Sequence, residues 1–189
     1  NFVVIKFALQ ALPPLLLATL SFAFALLPAA FFLRRPAVRW RKLAAYGVAI
    51  GAGQFGLLYL AMAGHIAPGL ASLVIQTQVF FTIGLAMLAD GERVRPVQGL
   101  ALVLAVAGIV VIGLNTGGDT TALGLALVLL AAASWAAGNQ VTRTMGRVPM
   151  LNMVVWSSLF ALPPLALLSL WFEGPARWQA GLAAATAPV

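Results

Sequence analysis

The chain has no cysteine, one histidine and four acidic side chains in 189 residues. Without thiols there is no disulfide framework and no thiolate metal centre. One histidine, His65, and no paired carboxylates leave no evident general base, so an enzyme is poorly supported and neither a metal nor a cofactor is implied. Charge is scarce altogether: 8% of residues are charged, against roughly 25% in a soluble domain. Asp90, Glu92, Asp119 and Glu173 all fall in turns or at the ends of apolar runs, so no proton relay through a mid-membrane carboxylate is predicted.

What the chain has in abundance is hydrocarbon, 62% of its residues. Apolar runs recur at Pro14–Leu33, Leu43–Ala63, Leu70–Ala89, Val97–Leu114, Leu123–Thr142 and Met150–Trp171, each near the roughly 20 residues that cross a bilayer as a helix. The runs lack the alternation of a barrel strand, and backbone groups in lipid must be satisfied within the segment. An all-α polytopic membrane protein with six complete spans follows. The opening NFVVIKFALQ is too short to cross and reads as the end of a further, truncated helix, giving about seven, with sequence expected on both sides of the chain. The first complete run is no cleavable signal, because its apolar core is too long and a basic cluster follows it.

The net charge of +7 is explained by placement and implies no nucleic acid. Turns 34–42, 93–95 and 143–147 together hold nine of the 11 lysines and arginines. They are every second connection, so they share one side, and the positive-inside rule puts that side in the cytoplasm. The connections are short and rich in turn residues, such as Ala67-Pro68-Gly69 and Gly117-Gly118-Asp119, which makes neighbouring helices antiparallel hairpins. NFVVIK at Asn1 resembles NQVTRT at Asn139, an offset of 138 residues containing five helices. An odd number of crossings inverts the second copy, as in secondary transporters built of inverted repeats.

Polar residues inside the runs are the candidate site. In LVIQTQVFFT, Gln76 and Gln78 lie about 160° apart on a helix, so Gln76 with Phe80 forms one half-site and Gln78 with Thr82 another. Each amide either joins helices or lines a hydrated path and binds a small polar solute. In GVAIGAGQFGLLYL, Gly47 and Gly51 have the small-xxx-small spacing of close helix contact, Gln54 points into the same crevice, and Tyr59 falls on a different face. Trp135 and Asn139 share a stripe that could grip an apolar body and a polar head, and Arg143 continues it as a basic-side anchor. Lys6 either snorkels to the interface or meets a substrate carboxylate.

The segments NFVVIK, PPLLLATLSF, GQFGLLYLAM, APGLASLVIQTQVFFTIGLAMLADGER and SWAAGN resemble the EamA family of the drug/metabolite transporter superfamily along the length of the chain. The run Gln76-x-Gln78-x-Phe80-Phe81-Thr82 looks most like the branch that exports O-acetylserine and cysteine. The resemblance implies ten helices in two inverted five-helix repeats around a cavity lined by helices one, three, four, six, eight and nine. Residues 1–114 would be the first repeat and 123–189 the start of the second, ending after helix seven. It places Asn1 and Lys6 on helix one, Gln54 on three, Gln76, Gln78, Phe80 and Thr82 on four, and Trp135 and Asn139 on six. Two positions depart from the pattern: Ser21 stands where many relatives have arginine, and Val79 near where many have proline. The expectation is an inner-membrane exporter of small amino-acid metabolites working by alternating access, with drug-like or aromatic cargo as the alternative and a non-transporting membrane assembly as another. Its partners would be membrane lipids and a small-molecule substrate, with a homodimer left open.

Overall fold

The computed structural model describes residues 2–90, 96–114 and 120–186, and among them no strand occurs. Asn1 and the basic pair at 93 and 95 lie outside the described residues. Eight helices are described: α1 Phe2–Ala11, α2 Pro14–Ala30, α3 Trp40–Met62, α4 Pro68–Ala89, α5 Pro96–Leu114, α6 Ala122–Arg143, α7 Met150–Phe172 and α8 Gly174–Thr186.

Proline sets several of the starts. Pro14 and Pro68 occupy the first turn of α2 and α4, where a missing N–H costs nothing. Thr121 caps α6, its hydroxyl oxygen accepting from Gly124 N at 3.0 Å. Between α7 and α8, Gly174 has φ +73°, a left-handed conformation that favours glycine.

The expected spans are found with three differences. α3, α4, α6 and α7 are each long and apolar enough to cross a membrane. α2, at 17 residues, stops at Ala30 because Phe31–Leu33 leave the helix for a turn. It reaches crossing length only with Ile5–Ala11 of α1, bent 116° from it across Leu12-Pro13; the Pro13-Pro14 pair forces the preceding residues out of helix. α5 counts among the shorter apolar helices, over Pro96–Gly108. Finally, α8 follows α7 after the single turn residue Glu173, where the sequence suggested the helices ended.

The described basic turns at 34–42 and 143–147 share one side, as their charges predict. Lys42 Nζ donates to the Thr144 carbonyl, joining two basic turns on one face. On the opposite face the His65 carbonyl accepts from Thr121 N at 2.8 Å and from the Thr121 hydroxyl at 3.1 Å.

α3 makes its most extensive contact with α6, and α2 packs along the length of α7. Leu15, Ala18, Ala161 and Leu165 from this pair join Leu58, Ala61, Val128 and Ala131 of α3 and α6 in the principal core. Both ends of the α2–α7 pair are tied. α2 begins on two prolines and has no side-chain cap of its own. Its free amides are met by Glu173, at the end of α7, whose carboxylate accepts from Leu15 N at 2.6 Å and Leu16 N at 3.0 Å. The Ser169 hydroxyl also donates to Glu173, and Trp178 of α8 donates Nε1 to Ser169 at 2.8 Å. At the other end α7 again supplies the side chains. Near the start of α7, Asn152 Nδ2 donates to the Arg34 carbonyl at 2.8 Å and Trp156 Nε1 to the Leu33 carbonyl at 3.2 Å.

Glu173→Ala should therefore leave two buried amides without acceptors and lower the unfolding free energy by about 2–4 kcal/mol. Ser169→Ala, which removes one donor, should cost about 1 kcal/mol. Denaturant unfolding of the intact protein in micelles measures both, and equal effects would show that Glu173 does not hold α2.

Candidate functional site

Where α2, α3, α6 and α7 meet, they leave a cavity of about 390 Å³, within the usual range for small-molecule sites. Its shape follows from the glycines of α3. A Cβ on Gly47 would lie 2.2 Å from the Ser157 carbonyl oxygen, and one on Gly51 would lie 2.2 Å from Ala161 Cβ. On the other edge, a Cβ on Gly53 would lie 2.5 Å from the Ser134 hydroxyl of α6. α3 is thus wedged at backbone distance between α7 and α6, and the larger side chains on its remaining face border open space.

Between Val48 and Gly56 the turns of α3 widen to π-helix, a feature that often marks functional positions. It has a geometric consequence. On an α-helix, Gln54 and Tyr59 would lie about 140° apart, but wider turns rotate less per residue and bring both to the same cavity wall. Tyr59 is buried and faces the Ser21 hydroxyl of α2. The different face expected from α-helical spacing is corrected by the widened segment.

Gln54 is only 4% exposed. Its amide lines the cavity, and among the described residues it has no hydrogen-bond partner. The amide atoms are not sealed off, so water or a solute in the cavity can meet them. The serine hydroxyls of the lining are already committed as donors: Ser157 and Ser158 both give theirs to Val154 O at 2.9 Å, and Ser21 to Leu17 O at 2.8 Å. Their oxygens retain lone pairs. The remainder is largely aromatic. Phe22 meets Phe55 edge-on at 5.5 Å, Phe55 meets Tyr59 at 5.9 Å, and Trp135 of α6 and Tyr46 complete the wall. Among the described residues, no charged side chain lines the cavity. Chemically, this site can donate and accept a few hydrogen bonds around an uncharged or apolar body.

The sequence candidates are divided between several places. Gln54 and Trp135 come together in this cavity. Asn139, one turn beyond Trp135, is half-buried and is not part of its lining. Gln76 and Phe80 border a separate groove of about 190 Å³ facing Ala105 and Gly108 of α5. Gln78 is half-buried, and its carbonyl accepts from the Thr82 hydroxyl at 2.8 Å, a bond within α4. Lys6 lies on an open crevice of about 700 Å³ between α1 and α8, shared with Gln10 and Arg177. Of the helices that the resemblance assigns to the cavity, α3 and α6 take part. α2 and α7 supply its other walls, because their close pairing carries Ser21 and Ser157 to it.

Spacing alone missed Tyr59, the Ser157-Ser158 pair and Arg177. The serines drew no attention, since a hydroxyl that bonds back to its own helix leaves no polar signal. Arg177 was hidden because the segment after Trp171 was not expected to form a helix facing α1.

Comparison with known proteins adds an independent line. The EamA-like transporter family matches residues 1–114. A protein of Salmonella typhimurium (strain LT2) named "Probable amino-acid metabolite efflux pump" is 42% identical over 180 residues, covering 92% of this chain and 60% of its own length. An Escherichia coli (strain K12) protein with the same name is 40% identical over 183 residues, covering 93% of this chain and 61% of its own. The chain thus spans about three-fifths of the length of these curated relatives. No solved structure matches it with significance.

The wedge predicts a sharp contrast between glycines. Gly51→Ala should drive α3 from α7 and cost about 1–3 kcal/mol. Gly69→Ala, whose Cβ would meet nothing within 4 Å, should stay within about 0.5 kcal/mol of the parent. Thermal unfolding in detergent compares them; similar melting temperatures would mean that α3 and α7 are not in backbone contact.

Proposed function

The chain belongs to the EamA-like transporter family, and from that premise we propose that it acts in the export of small amino-acid metabolites, of the O-acetylserine or cysteine type, across a bacterial inner membrane. The observation that carries this reading is the Gln54 amide, buried, unpartnered by protein and directed into a cavity among aromatic side chains. A hydrogen bond from this amide to a polar cargo group would contribute about 1 kcal/mol net. In this mechanism Gln54 hydrogen-bonds the cargo, Trp135 and Tyr59 pack its body, and Ser157 and Ser158 accept from its donors. Lys6 and Arg177, in the crevice on the face opposite the basic turns, draw a carboxylate along the way out.

The basic turns lie in the cytoplasm on this reading. In this reading the protein works by alternating access of two inverted repeats, with α7 side chains holding the backbone at both ends of α2. Gln76, Gln78, Phe80, Thr82 and Asn139 lie outside the cavity in this arrangement. A second reading has its own support: the aromatic lining suits aromatic or drug-like cargo.

Counterflow into liposomes containing the intact protein tests both. Gln54→Leu keeps the volume and removes the amide; the half-saturating concentration of O-acetylserine should rise about tenfold while the amount of folded protein is unchanged. Unaltered transport would remove Gln54 from the site. If an aromatic competitor outperformed O-acetylserine and cysteine, the second reading would replace the first.

A further inference from the structure

The turn that follows α2 is held more firmly than a solvated loop requires. α7 fixes its backbone through Asn152 and Trp156, at 2.8 Å to Arg34 O and 3.2 Å to Leu33 O. Pro36 and Val38 are buried. The Arg35 guanidinium lies 3.8 Å from the centre of the Trp40 ring and gives one N–H to Val38 O at 3.3 Å. Trp40 is itself set edge-on against Trp156 at 6.3 Å and Phe160 at 5.7 Å. The cation at position 35 is therefore held in place by stacking, with most of its five N–H donors left for another acceptor.

Its surroundings are one-sided. Arg34, Arg39 and Arg41 are exposed beside it, and no acidic residue occurs from 31 to 42. Directly before the cations, Phe31 and Phe32 are 84% and 86% exposed. Phe24, Leu27 and Phe31 follow the i, i+3, i+7 spacing of a single helix face, and all three are exposed. A bare apolar track thus ends in fixed arginines.

We propose that this end of α2 is a binding site for an anionic phospholipid, with its acyl chains along Phe24, Leu27 and Phe31 and its phosphate against Arg34 and Arg35. Charge complementarity selects the headgroup, because a zwitterionic lipid brings its own cation into a patch that already has several. Arginine suits the phosphate, since its planar fork can bond two oxygens at once. The track selects a lipid over free phosphate, which would leave the phenylalanines uncovered. This inference does not depend on the cargo or on the transport reading.

Native mass spectrometry of the intact protein in neutral detergent, titrated with phosphatidylglycerol or phosphatidylcholine, provides the test. The parent should retain phosphatidylglycerol in preference. Arg34→Gln with Arg35→Gln should weaken that binding about 25-fold, at about fivefold per cation lost, while phosphatidylcholine binding stays unchanged. The charge-conserving pair Arg34→Lys, Arg35→Lys should retain part of the preference, and it guards against a turn that merely fails to fold. Arg93→Gln with Arg95→Gln, in another basic turn, should leave the preference intact. Equal retention of the two lipids by the parent would overturn the proposal. So would an equal loss in the 93/95 control, which would mean diffuse charge, or equally tight binding of soluble glycerophosphate, which would mean an anion site without a lipid.

Discussion

A carboxylate at the end of one long helix that accepts the first amides of another is the contact on which this arrangement depends. Helix termini carry unsatisfied backbone groups, and at a membrane boundary few partners other than the protein's own side chains can serve them. α2 begins on Pro13 and Pro14, neither of which can cap it. Glu173 does so from α7, and Ser169 and Trp178 hold the carboxylate in turn. Asn152 and Trp156 then bind the far end of α2's exit turn. Tied at both ends, the two helices can neither slide nor splay, and they form the post against which α3 is fitted.

The cavity is a consequence of that fit. α3 can approach the post only where it has no side chain, at Gly47 and Gly51, and it approaches α6 through Gly53. Bulk is therefore displaced to its third face, where Gln54, Phe55 and Tyr59 stand around open space. The widened segment from Val48 to Gly56 supplies the rotation that brings the amide and the phenol to one wall. Packing and site are thus one feature here: the glycines that permit close contact also decide where there can be none.

Much of the fold was legible in the letters, for identifiable reasons. Apolar runs of about 20 residues have few alternatives to membrane helices, so the spans, the two faces and the turn chemistry were all accessible. Lys42 against Thr144 and His65 against Thr121 are the contacts that the alternation of basic and neutral turns had implied. The small-residue spacing of Gly47 and Gly51 was equally readable, because it reflects a steric need. The cavity was less so. Amides on α4 stood out because they are polar in an apolar run, yet Gln76 borders a groove against α5, and the lining of the larger cavity is dominated by aromatics that look like core. Tyr59 could not be placed, because periodicity presumes α-helix where the chain adopts wider turns. Glu173 was taken for a residue at a span end, which is correct as position but silent on its partner 158 residues away.

The distribution of charge around the cavity bears on how such a site could release what it binds. A cation inside the cavity would face a carboxylate in a medium of low dielectric, where the attraction is strong and the desolvation cost of an empty site is high. Here Ser21 stands in the wall, and the lining holds an amide, hydroxyls and rings. Such groups offer about 1 kcal/mol per net hydrogen bond, with a comparable amount for an aromatic contact. A handful of them corresponds to affinities in the millimolar to micromolar range. On the proposed reading that weakness serves export, since a carrier that empties against a gradient must let go. The cations of the opposite face, Lys6 and Arg177, stand beside an open crevice, where water screens them. There they can attract a carboxylate without holding it, so polarity rises along the exit route in the direction that favours departure.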